Sequence, residues 1–73
     1  MIKSEDDIIT DIEDMIAYAK ERKIQHTSYD TYGISSKILG NVMETFRNDG
    51  YIVKIETDNG FPYSYDFLSI SWN

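Results

Sequence analysis

The stretch SSKILGNVMETFRNDGYIVKIET, residues 35–57, decides the fold, because its apolar spacing changes from helical to strand period across a single glycine. Ile38, Leu39, Val42, Met43 and Phe46 fall at i, i+1, i+4, i+5 and i+8, the stripe of an amphipathic helix. Ser35 or Ser36 offers a capping hydroxyl before it, and Asn48-Asp49-Gly50 ends it, with Gly50 suited to a left-handed stop. Beyond Gly50, Tyr51, Val53 and Ile55 alternate with Ile52, Lys54 and Glu56, the period of a half-buried strand. Gly40 interrupts the helix at a cost of about 1 kcal/mol relative to alanine, which predicts close approach of another helix there.

Downstream, Asp58-Asn59-Gly60 supplies a hairpin turn, and Pro62 delays the return strand to about Tyr65. That strand runs to Trp72, with Leu68, Ile70 and Trp72 on one face and Tyr65 and Phe67 on the other. Upstream, Ser4 caps a helix over residues 5–22: Asp7 stands near the capping-box position, Glu5, Asp6 and Asp7 complement the dipole, and Ile8, Ile12, Met15 and Ala19 form the stripe, flanked by Ile9 and Ile16. Residues 24–34 lack helical period and read as a connection turning at Gly33, with room for a short extended piece. The expected fold is a single α+β domain in the order ααββ, two helices on one face of a C-terminal antiparallel β-hairpin, with a third strand from the connection as a variant.

Seventy-three residues make one small domain, and 13 acids against 7 bases give a net charge of −6. A chain of this length buries only roughly 60% of its unfolded surface, so a second subunit is an expected source of further burial. There is no cysteine, hence no disulfide, thiolate nucleophile or sulfur-ligated metal. No apolar run approaches the ~20 residues needed to span a bilayer and the N-terminus is acidic, which predicts a soluble, unexported protein of the cytoplasm with no membrane partner. His26 is the only histidine, and Gly33, Gly40, Gly50 and Gly60 are too far apart for a nucleotide-binding loop. Neither Glu5-Asp6-Asp7 nor Asp58-Asn59-Gly60 matches a calcium loop. The expectation is a protein that is not an enzyme and takes no cofactor or metal.

Residues 1–14 carry a net −5, residues 15–37 a net +2 and residues 38–73 a net −3. On a helical wheel Asp7, Asp11, Asp14 and Glu21 fall within about 80° of one another, opposite the apolar stripe, with Asp6 and Glu13 flanking. Asp7, Asp11 and Asp14 are spaced by about 6 and 4.5 Å along the axis, comparable to the phosphate spacing of a nucleic-acid strand. Like charges at i, i+4 cost stability, and no lysine relieves them. The plain alternative is a solvated face kept for solubility. The row extends beyond the first turn, where the dipole acts, and so favours a basic partner rather than direct nucleic-acid binding.

A competing reading takes the second helix and the hairpin as the end of a winged-helix-like DNA-binding regulator, with Lys37, Asn41, Thr45 and Arg47 as contacts. Against it stand the net charge and the acids Glu56 and Asp58 in the wing. The segment Phe61-Pro62-Tyr63-Ser64-Tyr65 is aromatic without period and is the best aromatic contact outside the core. The last strand is apolar on both faces and has no lysine or proline to guard an edge, which predicts a homodimer through Tyr65, Phe67, Leu68, Ile70 or Trp72.

With its capped acidic helix, a second helix ending in Asn48-Asp49-Gly50-Tyr51 and a final strand ending Ile70-Ser71-Trp72, the chain resembles the small acidic early proteins of tailed bacteriophages. Among these it is similar in size and charge to DNA mimics such as the phage inhibitor of the bacterial nucleoid protein HU. The resemblance implies a dimeric acidic decoy acting in the host cytoplasm on a basic DNA-binding protein. A phage structural or assembly accessory protein is the remaining alternative.

Overall fold

The computed structural model describes residues 4–60 and 63–72. Its elements are α1 (Glu5–Glu21), β1 (His26–Asp30), α2 (Ser36–Asn48), β2 (Ile52–Asp58) and β3 (Tyr65–Ser71). The α+β class and the packing of two helices on an antiparallel sheet stand as expected. The sheet has three strands rather than two, in the order β1-β3-β2 and antiparallel throughout. The order along the chain is therefore αβαββ, the third strand coming from the connection. Phe61 and Pro62, expected to delay the return strand and to extend the aromatic segment, lie outside the described residues.

Capping chemistry fixes both helix starts. The Ser4 Oγ accepts from the Asp7 N–H at 3.2 Å, and the Asp7 carboxylate accepts from the Ser4 N–H at 3.4 Å, a full capping box. The Ser35 Oγ accepts from the Ile38 N–H at 3.3 Å at the start of α2. Both helices end in the same paired pattern of backbone bonds: Ile24 to Ala19 and Lys23 to Lys20 in α1, Tyr51 to Phe46 and Gly50 to Arg47 in α2. This closure needs a left-handed residue. Gly50 supplies it at φ 96° without strain, whereas in α1 the position falls to Lys23 at φ 60°.

Gly40 does not mark a helix crossing. It is exposed, and a Cβ built there would meet nothing within 4 Å. Its propensity cost is therefore uncompensated, and Gly40→Ala is expected to raise the unfolding free energy by about 1 kcal/mol in urea titration. A loss of stability would restore the close approach.

The core is made by Ile8, Ile12, Ile16 and Ala19 of α1, Val42, Met43 and Phe46 of α2, Val53 of β2, and Leu68 and Ile70 of β3. Register places Leu68 between Tyr29 and Ile55, and Ile70 between Thr27 and Val53. Phe46, Tyr51 and Trp72 continue the core as edge-to-face rings, with centroids 6.0 and 5.8 Å apart.

This arrangement corrects the expected dimer contact. β3 is the central strand, so β1 and β2 already occupy both its edges. Leu68 and Ile70 are fully buried within one chain, and Trp72 is half-buried against Tyr51. Only Tyr65 and Phe67 of the five expected contacts lie on the face away from the helices, their rings 6.2 Å apart.

Candidate functional site

α1 carries the chain's densest run of acids, and the structure divides them into two groups. Asp6, Glu13, Asp14 and Glu21 are exposed on the side of α1 turned from the core. Asp7 and Asp11 are engaged within the fold. Asp7 closes the capping box, while the half-buried Asp11 carboxylate accepts from the Tyr29 hydroxyl at 2.8 Å, tying α1 to β1. Glu5 also works internally, accepting from the Asn41 side chain at 2.9 Å and linking α1 to α2. Of the expected row Asp7, Asp11, Asp14 and Glu21 with Asp6 and Glu13 flanking, all but the half-buried Asp11 are exposed, and Asp7 also serves the cap. The sequence shows carboxylate positions but not that Tyr29, eighteen residues away, reaches one of them.

Hydrogen bonding uses a carboxylate's lone pairs without removing its charge from the formal −6, so the engaged acids still add to the negative field of α1. Of the three cations at the C-terminal end of α1, Lys20 and Arg22 lie against aromatic rings and Lys23 is exposed. Lys20 Nζ lies 5.3 Å from the Tyr51 ring centroid and 5.7 Å from that of Trp72, and donates to the Tyr51 hydroxyl at 3.2 Å. The Arg22 guanidinium stacks 3.7 Å from the Tyr18 ring centroid. The Arg22 contact brings positive charge back over the turn that carries Tyr18.

The residues of the competing reading are mostly spent inside the fold. Asn41 donates to Glu5, the Thr45 hydroxyl donates to the Asn41 carbonyl at 3.0 Å, and Arg47 Nη2 donates to the Val53 carbonyl at 2.8 Å. Lys37 is exposed in the first turn of α2. In the hairpin the Tyr65 hydroxyl donates to Asp58 at 2.9 Å, and this bond, with the negative charge of Asp58, pushes the phenol above its ordinary pKa. An acidic hairpin is poorly suited to meeting phosphates.

His26 opens β1 and is exposed. It borders a groove of about 570 Å³ between α1 and β1, lined by Asp14, Met15, Tyr18, Ala19 and Ile24 together with Thr27 and Ser28. Sequence reasoning missed this groove because its strand side belongs to a segment read as a connection. Among the described residues no cluster of three or more histidine, cysteine, aspartate or glutamate side chains is arranged to hold a metal ion. No helix among them is long and apolar enough to cross a membrane.

Comparison with known proteins finds no matching family model, no matching curated protein and no matching solved structure. The functional reading therefore rests on the surface itself.

Proposed function

We propose that the protein is a non-enzymatic binding protein whose α1 presents an acidic face to the nucleic-acid-binding site of a basic partner, acting as a DNA mimic. The observation that carries this reading is the exposure of Asp6, Glu13, Asp14 and Glu21 along one helix. The mechanism is competition with DNA, with long-range attraction speeding encounter and salt weakening the complex. The likeness to phage early proteins makes the nucleoid protein HU, in a bacterial host cytoplasm, the first partner to try.

The test is displacement of DNA from purified HU at two ionic strengths, using the wild type and a variant combining Asp6→Asn, Glu13→Gln, Asp14→Asn and Glu21→Gln. The wild type is expected to release DNA more effectively at low salt. The variant is expected to lose an order of magnitude or more in affinity while keeping its thermal stability, since none of the four acids closes a contact within the fold. Asp7 and Asp11 are left intact because changing them would disturb a cap and the α1–β1 tie. Binding indifferent to salt and to all four substitutions would sink the reading, as would failure to bind any basic DNA-binding protein.

A further inference from the structure

We infer that the free edge of β1 is a self-pairing surface, on which a second copy of the chain adds its own β1 antiparallel about Ser28 to form one continuous six-stranded sheet. The sheet has two outer strands, and they are not alike. On β2 the register with β3 turns the backbone groups of the odd-numbered residues outward, and the Val53 carbonyl among them accepts from Arg47 at 2.8 Å. β2 also carries Lys54, a residue type that discourages edge pairing. β1, of sequence HTSYD, has no lysine and no proline.

The hydrogen-bonding phase of β1 is fixed from its far side. The Trp72 N–H donates to the Gln25 carbonyl at 3.0 Å, and the same register pairs Thr27 with Ile70 and Tyr29 with Leu68, so the odd-numbered residues face β3. His26, Ser28 and Asp30 therefore direct their N–H and C=O groups away from the sheet. A second β1 paired about Ser28 meets those groups with its own: Ser28 opposite the partner's Ser28, and His26 opposite the partner's Asp30, twice over by symmetry.

Side chains agree with that register. Each His26–Asp30 pair sets an imidazole, which has an N–H donor in either protonation state, against a carboxylate on the face away from the helices. On the helix face Thr27 meets the partner's Tyr29, a β-branched residue against an aromatic ring. A slip by two residues puts His26 opposite Ser28 and removes both histidine–carboxylate pairs. Beside the edge, the groove lined by Met15, Tyr18 and Ile24 is mostly apolar with Asp14 also in its lining, and Tyr18 and Ile24 are exposed in the single chain. The added subunit would cover this surface as its strand docks.

The two surfaces share Asp14, which lines this groove, but assembly is read with no DNA-binding protein present, so failure of the dimer and failure of the acidic-face reading are distinguishable. Sedimentation of the purified chain from micromolar to near-millimolar concentration is expected to show a concentration-dependent species of twice the chain mass. Ser28→Pro removes an outward N–H without breaking a bond to β3, a position where an edge strand tolerates proline. It should give a monomer with unchanged circular dichroism. His26→Asp should weaken the dimer about tenfold by setting like charges opposite one another twice, while His26→Lys should not weaken it. Both histidine substitutions are on an exposed side chain, so they decide the matter even if Ser28→Pro perturbs folding. A monomer at every concentration overturns the inference, as does a dimer indifferent to Ser28→Pro and His26→Asp.

Discussion

Phe46→Ala is expected to lower the unfolding free energy by about 3–5 kcal/mol, the largest loss from any single side chain. A domain of 73 residues has roughly 4–11 kcal/mol to lose at typical stability per residue, so this one side chain carries a large share of the total. Phe46 is 1% exposed and touches the ring sequence that runs through Tyr51 to Trp72. Its backbone also holds the end of α2, where the Phe46 carbonyl accepts from Asp49 and Tyr51. Truncation at Cβ would leave a cavity between the helices and β2, bounded by side chains already in one ordered arrangement. Urea titration of the wild type and variant should show a lower midpoint with a similar slope. A loss below about 1 kcal/mol would mean that α2 and Tyr51 close over the space, and that the aromatic sequence does not organise the core.

The parts of this fold that could be read from the chain are those whose signals are local. The capping box at Ser4 and Asp7, the stripe from Ile38 to Phe46 and the left-handed stop at Gly50 each depend on residues within a turn or two of one another. The β2–β3 hairpin was legible from alternation on each side of a turn. β1 was legible only as a variant, a third strand from the connection, because five residues with two inward positions, Thr27 and Tyr29, give too short and too polar a pattern to fix it. Its formation depends on β3, whose buried Leu68 and Ile70 require a strand on each side, and that pairing spans about forty residues of sequence. The left-handed Lys23 was hidden for a related reason: tertiary packing demands a helix end there, although lysine has no preference for that backbone region.

The candidate site shows the same division. Helical period alone located α1's acids, but only the structure distinguishes Asp11, which meets Tyr29, from Asp14, one turn away and exposed. The difference follows from β1, whose inward Tyr29 projects under one side of α1 and takes the nearest carboxylate. What the helical wheel presents as a uniform strip is therefore a boundary. One side stitches helix to strand, and the other is left to solvent or to a partner.

Ending the chain after Ser69 is expected to abolish cooperative folding. Residues 70–73 would form an expendable tail if β3 were an outer strand, but Ile70 is fully buried at the centre of the sheet, opposite both Thr27 and Val53. Ser71 likewise pairs with His26 on one side and Ile52 on the other. Trp72 closes the assembly: its N–H donates to Gln25 at 3.0 Å, its ring meets Tyr51 edge-on, and Lys20 lies 5.7 Å from it. Losing the Ile70 side chain alone should cost about 2–5 kcal/mol, and the lost ladder bonds and Trp72 contacts add to this, which together match the stability available to a domain of this size. The truncated chain should show poor dispersion in a proton–nitrogen correlation spectrum, no cooperative thermal transition and a tendency to aggregate through the freed edges of β1 and β2. A truncated protein that still melted cooperatively would show that α1, α2 and β2 hold together without the centre of the sheet, and the dependence of β1 on β3 would then have to be abandoned.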